Sequence, residues 1–504
     1  MRTIARSWLA LIVVFVLVAQ HGAAQERPFT IGMMVEVTGL DPRMNFDTYS
    51  MQPMLAILEP LLVLDTDLRL QPRLAERWTF AEDGTEITFE LREGVTFHHG
   101  RPFTSADVRY TFEWMLDTEN PSRNQSAYAD IVEILTPDDH TVVFRLGEAN
   151  VFFINTIAQL GIVPEDLGRD HLAFNQAPVG TGPYRFVRWQ RDDVLEIEAF
   201  DGYWGDQPGF ARVEFRPIPE DGTRLLGLEA GEVDLYQGGV LTEEVPRLEE
   251  DARFTVQRVA GGFHYVGFNT RAGALADVRV RQAINYAIPR DAIVGRLLND
   301  VGQSGVGPLS PSSPWFNPDV PRFDYDPERA RALLDEAGYG PGELSVLILA
   351  PTGVRAQVAE ILQFELDAIG VDATVSIEEF GALNSRIIET DDYELFVFGW
   401  SFQIDPDLGI RRIFGSMGGS NNSYYANARV DELVELGRTL PPDSQASYDA
   451  YAEAQALIVA EVPFAFVYYT EEVAVHRADV EGWVIHPVVK LTYQDLHRLR
   501  PIAN

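Results

Sequence analysis

Residues 344–377 read "LSVLILAPTGVRAQVAEILQFELDAIGVDATVSI", and this stretch decides the fold class. Residues 344–350 are almost continuously apolar and too short for a helix, as expected of a strand buried on both faces. Val354, Val358, Ile361, Leu362, Leu366 and Ile369 then recur at helical spacing, and Gly370 stands where a helix ends. Residues 371–377 return to a strand pattern. A short helix is expected around 380–388, followed by a strand over "YELFVFGW" (393–400). Strand, helix, strand, helix, strand implies a mostly parallel α/β sheet with right-handed crossovers. Ligands of such sheets bind beyond the carboxyl ends of the strands. Two segments sit at such ends: the turn 351–355, and Trp400 with the "SFQIDPDLG" that follows it. A core strand needs neither that tryptophan nor Gln403, Asp405 and Asp407.

The chain has 504 residues, 46% hydrophobic, enough for two to four domains. It contains no cysteine, which excludes thiolate metal sites, a cysteine nucleophile and disulfides. The start, "MRTIARSWLALIVVFVLVAQHGAAQE", has arginines at 2 and 6, an apolar run over 9–19 and small residues at Ala23 and Ala24. It reads as a secretory signal over 1–24, cleaved near Ala24; the apolar run is short for a membrane span. No later stretch of that length is continuously apolar. The formal net charge is −36, and it falls to −38 once residues 1–24, with two arginines and no acid, are removed. Such a field repels nucleic acid and anionic lipid.

Beyond the opening stretch, "EITFELREGVTF", "HTVVFRL" and "VLEIEAF" alternate as half-buried strands, and "TSADVRYTFEWMLD" continues as a helix capped by Thr104 or Ser105. No internal repeat is evident. No nucleophile elbow, H-E-x-x-H pair or phosphate loop completed by Lys-Ser/Thr occurs, so the chain is expected to be no enzyme and to need no cofactor or metal. His98 and His99 are adjacent, and adjacent residues of a strand end face opposite ways, which suits a turn better than a metal. Gly180 and Gly182 are read as turn glycines.

Five stretches carry a resemblance: "GLDPR" (39–43), "LAERWTFAEDGTEITFELREGVTFHHGRPFTSADV" (74–108), "PVGTGPYRFVRW" (178–189), "FNTRAGALADVRVRQAINYAI" (268–288) and "FDYDPERARALLDEAGY" (323–339). Together, and in this order, they resemble family 5 extracellular solute-binding proteins, the periplasmic receptors of ABC importers for dipeptides, oligopeptides, nickel chelates and some sugars. The family usually has an acid where this chain has Pro289. The resemblance implies a two-lobed α/β periplasmic-binding-protein fold of class II type, with an extra α/β domain inserted in lobe I. Lobe I is then 25–58, 183–270 and 480–504; the insert is 59–182 and lobe II is 271–479. It also implies a monomeric periplasmic receptor that closes on a small polar ligand, a peptide first, with a sugar, an opine or a metal chelate as alternatives. The ligand would be delivered to permease subunits in the inner membrane. A secreted hydrolase of peptides or glycans, or a permease-independent chaperone or sensor, are the readings from other classes.

The site residues follow from the same comparison. Trp400 offers a broad apolar face for stacking in a closing cleft. Peptide-binding relatives place an aspartate three residues after this tryptophan for the ligand's α-ammonium, where this chain has Gln403, which supplies no charge. Arg355 opens the helix after Ala350; the relatives' carboxylate-binding arginine lies about two residues further on. His264 and Tyr265 lie on a strand that the family brings to the cleft. Asn421, Asn422 and Tyr424 belong to a polar turn, "SNNSYYAN", expected to line it. Asp405 is expected to cap the helix opened by Pro406, or to touch ligand.

Overall fold

A computed structural model describes residues 27–502 except 123, 391 and 443. The expected signal segment, 1–24, lies outside the described residues. The strands that organise the molecule are, in chain order, β1 (Phe29–Met33), β2 (Ala75–Phe80), β3 (Glu86–Leu91), β4 (Ile131–Asp138), β5 (Thr141–Leu146), β6 (Tyr184–Gln190), β7 (Val194–Ala199), β8 (Arg212–Pro217), β9 (Leu235–Gln237), β10 (Phe254–Phe268), β11 (Gly302–Ser304), β12 (Leu344–Pro351), β13 (Val371–Glu378), β14 (Leu395–Trp400) and β15 (Phe464–Arg477). Eleven of them share one sheet, in the order β13-β12-β14-β10-β15-β9-β1-β8-β7-β6, with β11 added on β15. A separate four-stranded sheet runs β2-β3-β5-β4.

The opening stretch forms as its pattern requires. β12 and β13 pair in parallel from Leu344↔Val371 to Pro351↔Glu378, and β12 also pairs in parallel with β14. The helix between them is Val354–Ala368; it buries Val358, Leu362 and Leu366, and Gly370 follows at φ +92°. Side chains alternate across β10 and β14, so the second lobe has two cores. Val266 and Val397 face one with Val346, Ile284 and Leu362; Phe263, Tyr265, Phe396 and Phe464 face the other.

The first lobe gathers β1, β8 and β9 around Phe29, Ile31, Val213 and Leu235, with Leu491, Leu496 and Leu499 returning from the carboxyl end. The two lobes are one sheet because β10 and β15 are long enough to serve both. The first half of β10 pairs with Arg477 to Glu471 of β15, whose Ala474–His476 segment also pairs with β9. Its second half pairs with Tyr469 to Phe464 and, on the other edge, with β14. The ladder slips between Ala260 and Phe263, across Gly261 and Gly262. A break in register where two long strands pass between lobes is where a sheet bends most easily.

Several motifs are architecture. Asp41 and Arg43 of "GLDPR" form a fully buried ion pair, and the guanidinium lies over Trp114 at 4.6 Å and donates to the Gly168 carbonyl. Gly180 and Gly182 are required by close approach: an added Cβ would lie 2.0 Å from the Ile57 carbonyl and 2.6 Å from that of Ala56. His98 faces the same bend, its Nδ1 accepting from Gly180 N–H at 3.2 Å and its Nε2 3.0 Å from the Gly182 carbonyl. Burial pushes the His98 pKa down to about 4. Asp277 and Asp326 cap their helices. The capping choice left open at 104–105 resolves to Thr104, in a box with Asp107. Among the described residues no helix is long and apolar enough to cross a membrane.

Candidate functional site

Three strands of the second lobe, β10, β12 and β14, deliver side chains to one region. At the end of β12 the chain turns through Gly353, whose φ of +87° favours glycine and which has no side chain to cap the helix that follows. Arg355 lies in the first turn of that helix, half-buried, with its guanidinium 5.7 Å from the centre of the Phe380 ring. Arg355 forms no ion pair among the described residues, although the chain carries nearly twice as many acids as basic residues. Among the described residues the guanidinium is thus an unpaired cation beside an uncapped helix start.

His264 on β10 stands beside it. Its strand partner is Gly399 of β14, where an added Cβ would fall 2.7 Å from the imidazole; only glycine leaves room for the ring. The ring stacks on Tyr468 of β15 at 4.6 Å, and its Nδ1 lies 2.7 Å from the tyrosine hydroxyl. Burial, and then the charge of Arg355, push the His264 pKa down to about 3. Burial holds the Tyr468 hydroxyl protonated, well above its usual range. The protonated hydroxyl and the neutral imidazole share one hydrogen bond, whose direction follows the imidazole tautomer. Guanidinium and neutral imidazole together carry one fixed positive charge.

Trp400 ends β14 opposite Phe263 and packs on the aromatic core of the second lobe, with the Arg412 guanidinium 6.0 Å from its ring. Its indole N–H is buried and faces the Tyr265 hydroxyl. The backbone of β10 comes so close here that a Cβ on Gly262 would lie 1.9 Å from the Trp400 carbonyl oxygen. The chain then straps the lobes together. Phe402 and Ile404 pack into the core of the first lobe, and Asp405 accepts from Asn155, in the segment that follows the four-stranded sheet, at 3.2 Å. Asp405 is 3% exposed and also accepts from Leu408 N–H at 2.9 Å, which is the capping role. Asp407 takes Arg411 at 2.6 Å and Arg438 at 3.2 Å. Burial, reinforced by Asp407, pushes the Asp405 pKa up to about 7.

The remaining expected residues are placed elsewhere. Tyr265 points inward and stacks on Phe464 at 3.9 Å, because alternation along β10 puts it opposite His264. Gln403 turns its amide back onto the Ser401 carbonyl at 2.7 Å. Asn421 spends its side chain on the turn itself, donating to the Gly415 and Tyr425 carbonyls. The Asn422 carbonyl accepts from Tyr393, and Tyr424, at φ +56°, stacks with Tyr393 and lies under Arg271. That turn is thus docked at the start of β14, while Trp400 closes its other end; only Ser420 reaches towards the tryptophan, through Arg412. Sequence reasoning missed Tyr468, Phe380 and Asn155. Only the Gly261-Gly262 pair inside a strand offered a local signal of close approach.

The family pattern described as "Bacterial extracellular solute-binding proteins, family 5 Middle" matches residues 69–422. The glutathione-binding protein GsiB of Pectobacterium atrosepticum is 27% identical over 511 residues, covering 98% of each chain. The dipeptide-binding protein of Escherichia coli is 28% identical over 465 residues, covering 84% of this chain and 85% of that one. Among solved structures, HbpA2 from Haemophilus parasuis superposes with a TM-score of 0.87 at 26% identity, over 94% of this chain and all of that one. The oligopeptide-binding protein AppA of Bacillus subtilis, in complex with a nonapeptide, gives 0.74 at 25% identity, over 95% and 99%. These relatives are binding proteins and not enzymes, so the hydrolase reading is not favoured. With two lobes built on one shared sheet and the match spanning most of its length, the chain belongs to the bacterial extracellular solute-binding proteins of family 5.

Proposed function

We propose that this chain is a periplasmic receptor for a short peptide bearing a free carboxylate, which it delivers to an ABC permease without chemical change. The observation that carries the reading is Arg355: a guanidinium without an ion-pair partner among the described residues, at an uncapped helix start, beside a histidine held neutral. The names of the glutathione- and dipeptide-binding relatives support a peptide over a sugar or metal chelate. Gln403, in place of an aspartate, favours peptides whose ammonium needs no opposing charge at that point. Lobe I is taken as 25–58, 183–270 and 480–504, the insert as 59–182 and lobe II as 271–479, with the end of β10 and the end of β15 each running into the opposite lobe. Closure bends β10 and β15 at Gly261-Gly262, and the ligand favours the closed form by touching both lobes. The mature protein begins after residue 24 and acts as a monomer.

Calorimetric titration of residues 25–504 with dipeptides and glutathione, each as free acid and as carboxyl-terminal amide, tests this. A charge-assisted hydrogen bond is worth about 1.5–3 kcal/mol, roughly ten- to a hundredfold in affinity. Amidation and Arg355→Gln should each cost that much for the peptide that binds, with melting unchanged. Equal binding of acid and amide overturns the carboxylate assignment.

A further inference from the structure

We propose a second ligand site, apart from the Arg355 region, that takes an uncharged aromatic group. A cavity of about 710 Å³ lies where the four-stranded sheet meets the second lobe. Trp78 and Phe80 of β2 and Phe152 line it from one side, Trp315 and Tyr448 from the other, and Ile404 of the strap closes it. None of Arg355, His264, Trp400 or Gln403 lines it.

Three observations set the chemistry. First, the volume falls in the range of small-molecule sites, roughly 300–1,000 Å³. Two bodies meeting only to pack would interdigitate, because protein interiors tolerate few voids larger than a water molecule. They do interdigitate alongside, where Phe152 meets Trp315 edge-on at 5.4 Å and Tyr451 at 5.8 Å; the space beside that contact stays open. Second, five aromatic rings and three prolines stand in the lining, and its polar side chains are already engaged: Arg69 pairs with Asp67, and the Ser444 hydroxyl donates to the Pro441 carbonyl at 2.7 Å. Asn155 donates to Asp405, and the Tyr448 hydroxyl donates to the Phe316 carbonyl at 3.2 Å. Water needs two to four polar partners, so such a space suits an apolar guest better. Third, neither Trp78 nor Trp315 donates its indole N–H to a protein acceptor among the described residues. Two free donors in an aromatic wall fit a ring compound that carries a weak acceptor.

The probe is N-phenyl-1-naphthylamine, an uncharged aromatic that brightens in apolar surroundings, titrated into residues 25–504. Saturable brightening at one probe per chain is expected. Gln445, whose amide donates to Asp449, stands exposed at the lip. Gln445→Trp should fill the mouth and weaken the probe at least tenfold; Leu70→Trp does the same from the opposite wall and serves should the first variant fold poorly. No saturable signal, or one that survives both substitutions in folded protein, overturns the site. Neither outcome bears on the carboxylate assignment, which is read from peptide amides.

Discussion

Asp405→Asn should stabilise the protein at neutral and alkaline pH and leave it unchanged in acid. Asp405 is buried with a folded pKa of about 7, whereas an unfolded aspartate titrates near 3.9. The folded state therefore holds a proton that the unfolded state has released. The sign follows: the carboxyl's contribution to stability is whole below about pH 3.9 and is lost as pH rises through 7. About three pH units at 1.36 kcal/mol each give a ceiling of about 4 kcal/mol. Asparagine escapes that loss. Its oxygen still accepts from Leu408 N–H, and Asn155 can turn its own oxygen towards the new amide. Urea unfolding of both proteins between pH 4 and 8.5 should give a difference near zero at pH 4, rising to a plateau at about pH 7. Taking the difference cancels the histidines that titrate in the same window. A flat difference, or a variant weaker at pH 8, refutes the reasoning. It would mean that Arg411 and Arg438, which hold Asp407, neutralise Asp405 as well and that the strap is pinned by charge.

Other perturbations probe the hinge and the bend at His98. Gly262→Ala puts a Cβ 1.9 Å from the Trp400 carbonyl oxygen and should cost more than about 2 kcal/mol in urea unfolding; Gly261→Ala meets side chains alone, the Thr470 hydroxyl at 2.8 Å and Glu472 at 3.4 Å, and should cost less. Equal costs would remove the close backbone approach as the reason for that glycine. His98→Ala strands Gly180 N–H and the Gly182 carbonyl and should cost about 3 kcal/mol at pH 7. Because the folded His98 pKa is depressed to about 4, its contribution is whole above 6.5 and fades as pH falls through 4, so the deficit should shrink by about 2–3 kcal/mol at pH 4.5. A deficit that does not depend on pH argues against the buried neutral histidine. Small-angle scattering should show a smaller radius of gyration once a bound peptide saturates the protein, and an unchanged profile at saturation would count against closure.

What was legible in the sequence was what periodicity encodes. The stretch 344–377 announces strand, helix and strand because burial on both faces and burial on one face leave different repeats, and the chain forms them within a residue or two. The caps at Asp277 and Asp326 are equally local. What stayed hidden depends on partners far along the chain. Tyr265 and His264 are neighbours in sequence, and only the pairing of β10 with β14 and β15 decides which of them faces the core. Tyr468, which stacks on His264 and shares a hydrogen bond with it, lies 204 residues away. The turn 420–427 spends much of its polarity on itself: Asn421 completes three hydrogen bonds within it and a fourth to the Gly415 carbonyl, so polarity there also serves the loop's own structure.

The segment after Trp400 shows why its composition looked anomalous for a strand exit. Trp400 is fixed on the second lobe, Phe402 and Ile404 on the first, and Asp405 on Asn155, all within six residues. A loop that merely followed β14 would need no alternation between two cores. The backbone contact of Gly262 with the Trp400 carbonyl ties this strap to the register break of β10. On the proposed reading, bending the sheet at Gly261-Gly262 shifts Trp400 against β10 and pulls on the strap. The strap in turn carries Gln403 and one wall of the aromatic cavity. On the proposed reading, a ligand that draws the Gln403 amide away from the Ser401 carbonyl acts on the segment that ties the lobes together.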